Sequence, residues 1–287
     1  MQSVAEIRAL LEERGLRPKK SLGQNFLIDQ NLLTRLVDEA GVVEGDVVLE
    51  VGPGTGTLTE ALLARGARVV AVELDDQLAG LLRDRLGAHE GFTLVHGDCL
   101  ASKREVSPAV LDAVRDAGGS ERFKLVANLP YHAATPLMLT LMSAHPACVS
   151  MAVTIQREVA ERMVAGPGSK TFGTLGVVAG ALGSARKVAV LGPGCFWPAP
   201  GVESAMAVWE RGRALVGDGV GQAVGFAGFV SRVFEGRRKQ LGAHLKRLGM
   251  LPSAWPEGVV PTDRAESLDV RRFAALYGAV MRTGDDG

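Results

Sequence analysis

Four consecutive residues, Asn128-Leu129-Pro130-Tyr131, combine groups suited to holding an amine on a planar ring. The Asn128 side-chain carbonyl can accept one N–H, the main-chain carbonyl of Leu129 or Pro130 can accept the other, and the Tyr131 ring can stack on a base. Two acceptors so placed hold the amine and aim its lone pair at an electrophile. The same residues also make a serviceable strand-exit turn, with Asn capping, Pro fixing φ and Tyr packing, so the rest of the chain has to separate the two readings.

A second group lies upstream. The apolar run Asp46 to Val51 leads into Gly52-Pro53-Gly54-Thr55-Gly56 and then a helix from about Thr57 to Ala64. Glycines at Gly52 and Gly54 let backbone approach a ligand closely. The spacing is G-x-G-x-G, and Thr57 stands where a dinucleotide fingerprint places its third glycine, which counts against a nicotinamide cofactor. Glu73 closes the next strand, Arg68 to Val72, where a carboxylate can accept both hydroxyls of a ribose. Asp98, after a third strand over Phe92 to Val95, can accept an adenine amine or serve as a turn aspartate.

These groups need a frame. Short apolar runs alternating with helical spacing give a parallel α/β sheet whose strand ends carry Gly52, Glu73, Asp98 and Asn128. Open α/β sheets hold their ligands along that edge. A helix is expected over 4–14, then a polar loop from Lys19 to Leu27, and a helix capped by Asp29. Beyond Asn128 come a helix opened by Thr135 and Pro136, a strand over 149–155, a helix over 156–164, and a flexible flap at Gly166 to Lys170. A packed helix follows over 174–182, and closing strands over 187–191 and 205–209 flank the proline-rich segment Phe196 to Ser204, with Phe196 available for stacking.

Gly212 to Gly221 is rich in glycine and marks a boundary. The reading is therefore a ligand-binding domain over 1–212 and a small helical domain over 213–287 that serves as a docking surface. Local basic clusters fit phosphate contact even though formal net charge is zero: Arg17, Lys19 and Lys20 near the start, and Arg237, Arg238 and Lys239 within a later run. Cys99, Cys148 and Cys195 show no C-x-x-C pair, and the five histidines show no metal-ligand spacing, so reduced thiols and no metal are expected. No apolar run is long enough to cross a bilayer, and Glu6 and Arg8 stand where a signal peptide needs an apolar core, so the cytoplasm is the expected compartment.

In order and spacing these segments resemble the ribosomal small-subunit RNA adenine N6-dimethyltransferases. The resemblance covers nearly the whole chain and rests on Ser21 to Leu27, Glu50 to Gly56, Glu73-Leu74-Asp75, Gly97-Asp98, Asn128 to Tyr131, Phe196 to Ser204 and Arg237-Arg238-Lys239. It implies a Rossmann-like class I methyltransferase sheet of seven strands, mostly parallel with the last antiparallel, plus a helical C-terminal domain. It implies S-adenosylmethionine as cofactor, held by Asn25, Leu27, Gly52, Gly54, Glu73, Asp98 and Asn128. Catalytic roles fall to Asn128, Pro130, Tyr131 and Phe196, the two rings sandwiching the target adenine, and RNA contacts to Lys19, Lys20, Arg237, Arg238 and Lys239. The implied reaction is N6-dimethylation of adenosines in 16S rRNA by a monomer acting on a 30S pre-ribosomal particle. A non-catalytic assembly factor, or a methyltransferase acting on large-subunit rRNA or DNA, is the alternative. The chain departs from the family pattern at His132, where the family usually has Asn.

Overall fold

The computed structural model describes residues 2–19, 22–217 and 219–285, so Lys20, assigned above to RNA, lies outside the described residues. Helix α1 (Val4–Glu13) leads to strand β1 (Phe26–Leu27) and α2 (Gln30–Glu39), then to β2 (Val47–Val51), α3 (Thr57–Leu63), β3 (Arg68–Glu73), α4 (Asp76–Leu86) and β4 (Phe92–His96). A small antiparallel pair, β5 (Leu100–Ser102) and β6 (Glu105–Val106), precedes α5 (Pro108–Asp116), β7 (Phe123–Asn128), α6 (Tyr131–Ala144) and β8 (Cys148–Gln156). The remaining elements are α7 (Arg157–Val164), α8 (Thr174–Leu182), β9 (Gly183–Leu191), β10 (Phe196–Trp197), β11 (Ser204–Arg211), α9 (Val220–Phe234), α10 (Leu241–Leu248) and α11 (Val270–Asp285).

Seven strands form one sheet in the order β4-β3-β2-β7-β8-β11-β9. β2 pairs in parallel with β3 and β7, as do β3 with β4 and β7 with β8, so the carboxyl ends of five strands share one edge. The last sheet strand, β11, is inserted between β8 and β9. Period-2 alternation explains the core. Val48, Val69, Ala71, Val126, Ala152 and Met206 come from five strands and join one buried cluster with Leu33, Leu36 and Val37 of α2 and Leu62 of α3. The helical spacing of those leucines supplies the covering face.

The chain divides into two compact units: 1–138, 147–160 and 186–209 form the first, and 139–146, 161–185 and 210–287 form the second. The second unit thus begins near the expected boundary at 212 and also takes two earlier segments. The cause is apolar packing: Phe172, Val177 and Ala181 share a buried cluster with Phe226, Phe229 and Val230 of α9 and Phe273, Leu276 and Tyr277 of α11.

Three local expectations are corrected. Helix α6 begins at Tyr131 and carries Pro136 inside it, rather than opening at Thr135. Its first turn is closed by Ala133 and Ala134 N–H groups, both donating to the Pro130 carbonyl, so Pro130 starts the helix. The helical pattern over about 237–248 would put Arg237 to Lys239 in a helix, whereas they lie in a turn ahead of α10. The flap at Gly166 to Lys170 is tied down within the second unit: Gly168 N–H donates to the Glu266 carbonyl at 2.8 Å and Arg237 donates to the Ser169 carbonyl at 3.0 Å.

Candidate active site

One cavity of about 1090 Å³ of empty space, open to solvent, runs along the carboxyl edge of the sheet in the first unit. Its wall brings together Asn25, Leu27, Gly52, Gly54, Glu73, Asp98, Asn128, Pro130 and Tyr131, residues up to 106 positions apart in the chain. They meet because β2, β3, β4 and β7 are parallel and each ends on the same edge.

The glycine loop fits between two other segments. Gly52 has φ +73° and Gly54 φ +62°, a region that favours glycine. A Cβ on Gly52 would stand 3.1 Å from Pro130 Cγ, and one on Gly54 would stand 2.7 Å from Phe26 Cε1. Glycine is therefore needed here to let the loop pass against Pro130 and the N-terminal segment, in addition to any approach to a ligand.

That N-terminal segment is itself anchored. β1 pairs antiparallel with β10, matching Phe26 with Trp197 and Leu27 with Phe196. Alternation sends Phe26 and Trp197 into a cluster with Ile7, Leu11 and Leu78, and sends Leu27 and Phe196 into the main core. Phe196 is consequently 3 % exposed and is not among the residues lining the cavity, in contrast to the stacking position expected for it.

Asn128 ends β7 beside Thr154 of β8, and the Leu129 N–H donates to the Thr154 carbonyl at 3.0 Å. The Asn128 Nδ2 donates to the Asn25 main-chain carbonyl at 2.8 Å. That bond fixes the amide: nitrogen faces the N-terminal segment, which leaves Oδ1 as the acceptor. Tyr131, the first residue of α6, bonds through its hydroxyl to Ser204 Oγ at 2.9 Å. His132, exposed, also lines the cavity.

Carboxylates dominate the electrostatics. Glu73 accepts the Asp75 N–H on Oε1 at 2.8 Å and the Gly54 N–H on Oε2 at 3.3 Å, and burial pushes its carboxyl above the usual range. Glu50, 2 % exposed, is pushed up to about 8 by burial, opposed by a 2.6 Å bond from Thr59 Oγ1 and reinforced by the neighbouring Glu73. Asp98 is exposed and accepts the Leu100 N–H on Oδ1 at 2.9 Å, so it makes a turn while still facing the cavity. Burial and Asp98 push the adjacent Cys99 thiol up to about 12, which keeps it protonated and poorly nucleophilic.

Sequence reasoning gave no role to Glu50 or Gln24, yet both line the cavity. An acid inside an apolar five-residue strand was the available signal for Glu50. Gln24 Nε2 donates to Asp75 Oδ2 at 3.0 Å, and its Oε1 accepts the Lys19 N–H at 2.7 Å. Lys19, expected at RNA, reaches the same Asp75 carboxylate at 2.8 Å. Burial would raise the Asp75 carboxyl, but Lys19, Gln24 and the backbone N–H groups of the α4 cap outweigh it and hold it below its usual range. Arg237 is likewise engaged, with Glu266 at 2.8 Å, whereas Arg238 and Lys239 are exposed.

The donor set fits a cationic nucleoside. Among the described residues lining the cavity are the carboxylates of Glu73 and Asp98 and the protonated acid Glu50 but no lysine or arginine, which suits a sulfonium and an ammonium better than a pyrophosphate. Sheet order, glycine loop and acidic edge together define a class I methyltransferase.

Comparison with known proteins narrows the class. A family model described as ribosomal RNA adenine dimethylase matches residues 15–277, and the chain belongs to that family. It is 38 % identical over 296 residues to a ribosomal RNA small subunit methyltransferase A of Bifidobacterium longum subsp. infantis, covering 98 % of this chain and 94 % of the relative. The corresponding Streptomyces avermitilis protein is 39 % identical over 282 residues, 95 % of this chain and 91 % of the relative. Among solved structures, a dimethyladenosine transferase from Plasmodium falciparum superposes with a TM-score of 0.70 at 22 % identity, covering 90 % of this chain and 98 % of that one. The 23S rRNA methyltransferase ErmE superposes with a TM-score of 0.64 at 24 % identity, covering 90 % and 100 %. The protein is an enzyme of this family, and its methyl donor is S-adenosylmethionine. Among the described residues no helix is long and apolar enough to cross a membrane, and no group of three or more His, Cys, Asp or Glu side chains could hold a metal.

Proposed function

We propose that this protein dimethylates N6 of adenosines in small-subunit (16S) rRNA during ribosome assembly, as a cytoplasmic monomer acting on a 30S precursor. The observation that carries the chemistry is the orientation of Asn128, a residue of the cavity wall: its Nδ2 is committed to the Asn25 carbonyl, which leaves Oδ1 as the acceptor. Bound S-adenosylmethionine supplies an electrophilic methyl group. Glu73 holds the ribose hydroxyls with lone pairs its two backbone donors leave over, Asp98 takes the adenine amine of the cofactor, and Asn25, Leu27, Gly52 and Gly54 complete the cofactor site.

The target adenine enters beside Tyr131 after leaving the RNA stack. Asn128 Oδ1 and the Leu129 carbonyl accept its two N6 hydrogens and align the nitrogen for in-line attack, because the Pro130 carbonyl already takes the Ala133 and Ala134 N–H groups. No covalent nucleophile takes part, in keeping with the protonated Cys99. Phe196 serves as the second stacking face, which requires its side chain to leave the buried cluster it shares with Leu27. Arg238 and Lys239 contact RNA phosphates from the second unit.

The family name of the relatives favours small-subunit rRNA over other nucleic acids. The test is incubation with labelled S-adenosylmethionine and undermethylated 30S particles, 50S particles or DNA, followed by mass spectrometry of the adenines. Dimethyladenosine confined to the 30S sample is expected. Methylation of 50S particles or DNA in its place would overturn the substrate assignment.

A further inference from the structure

Ser204, the first residue of β11, is 0 % exposed, and its hydroxyl meets the Tyr131 hydroxyl at 2.9 Å. Its chain neighbour Glu203 is gripped twice by Arg157: the Arg157 N–H donates to the Glu203 carbonyl at 3.0 Å, and the guanidinium reaches the Glu203 carboxylate at 2.8 Å. Ser204 therefore stands at a fixed strand end, and Tyr131 at the start of a helix on the cavity wall.

A phenolic oxygen lies on the axis through Cβ and Cγ. One bond to it fixes χ1, and so the place where the ring stands, while rotation of the ring plane about that axis remains possible. A partly exposed tyrosine without such a bond can leave its χ1 well for solvent, and a wall that moves cannot align the base it carries. Serine suits the task because its small side chain fits a fully buried strand position and its hydroxyl can donate or accept.

We propose that Ser204 is a positioning residue for methyl transfer: it tethers the Tyr131 hydroxyl and holds the ring as a fixed wall of the adenine site, with the Arg157–Glu203 pair steadying the strand end from which it acts. This rests on the reading that Tyr131 receives the target adenine. A purely structural role for Ser204 would satisfy a buried hydroxyl without affecting how the ring serves the substrate.

The chain has two tyrosines, Tyr131 and Tyr277, so protein labelled with 13C at tyrosine Cζ gives two signals, assigned by Tyr131→Phe. In Ser204→Ala the Tyr131 signal is expected to shift and broaden while that of Tyr277 stays in place. Affinity for S-adenosylmethionine by calorimetry should remain within about twofold, and kcat/KM on undermethylated 30S particles should fall about tenfold. Tyr131→Phe keeps the ring and removes only the tether, so it should lose transfer by a similar factor even if Ser204→Ala fails to fold. The double variant should be no worse than either single one. Additive losses, an unmoved Tyr131 signal, or full activity in Tyr131→Phe while Tyr131→Ala is impaired would overturn the tether. Full activity in Tyr131→Ala would instead overturn the adenine-site reading on which it rests.

Discussion

The cavity edge of the first unit and the helical cluster of the second are built on opposite terms. The cavity edge holds buried acids, Glu50 and Glu73, and glycines with positive φ, and its bonds link side chains to distant backbone, as Asn128 does to Asn25. The helical cluster is apolar and aromatic: Phe234 stacks on Phe273 with centroids 5.5 Å apart, and Tyr277 sits 5.5 Å from both Phe226 and Phe229. Burial of acids works against stability and burial of aromatic rings works for it. Structure is thus concentrated in one region and chemistry in the other, and substitutions in the two should fail in different ways.

The largest effect belongs to the apolar region. Phe273 is fully buried, and Phe273→Ala should lower unfolding free energy by about 3–5 kcal/mol in a denaturant titration. The fraction that stays folded should still bind S-adenosylmethionine with wild-type affinity. Loss of that affinity in folded protein would break the division between the two regions.

At the cavity edge the expected failure is the reverse. Asn128→Ala removes the oriented acceptor, and methyl transfer should fall on the order of a hundredfold, about 2.7 kcal/mol in the barrier, while S-adenosylmethionine still binds measurably. Single-turnover assays beside calorimetry would check this. Near-normal turnover would remove Asn128 from the chemistry.

The same contrast explains what could be read from the chain. The parallel sheet and the edge residues Gly52, Glu73, Asp98 and Asn128 were legible because each follows an apolar run, and parallel strands carry their exits to one edge. The cap at Asp29 was legible for the same local reason. Residues whose role depends on a distant partner were not. Nothing near Lys19 announces Asp75, nothing near Arg237 announces Glu266, and the two-residue pairing of β1 with β10 that buries Phe196 has no periodicity to detect. Pro136 misplaced the start of α6 because proline favours a first helical turn, whereas here Pro130 opens the helix and Pro136 is carried inside it.

Glu50 sharpens the comparison through pH. Its carboxyl is pushed up to about 8 in the folded chain, from an ordinary value of 4.5. Below pH 4.5 folded and unfolded forms both hold the proton, and the group is neutral to stability. Between about 4.5 and 8 the unfolded chain has released it while the folded chain keeps it, so the unfolded state binds fewer protons and stability falls as pH rises. Glu50→Gln imitates the protonated acid and can still accept from Thr59. Its stability relative to the wild type should therefore rise steadily from pH 4.5 to 8 and then level off. A difference that is flat across this window would mean that Glu50 is not held protonated.

The smallest effects divide three adjacent basic residues. Arg237 bonds to Glu266 and to the Ser169 carbonyl, whereas Arg238 and Lys239 are exposed. Arg237→Ala should cost about 1 kcal/mol of stability, since the ion pair is only partly buried, and should leave the salt dependence of rRNA binding unchanged. Arg238→Ala and Lys239→Ala should do the opposite: unfolding stays within about 0.5 kcal/mol of wild type, and each lowers the slope of log affinity against log salt by about 1. Filter binding across a salt series, paired with thermal unfolding of the same three variants, separates the outcomes. An equal change in slope for all three would mean that Arg237 leaves Glu266 when RNA arrives, and the line between structural and RNA-facing residues would then run through a contact that binding itself rearranges.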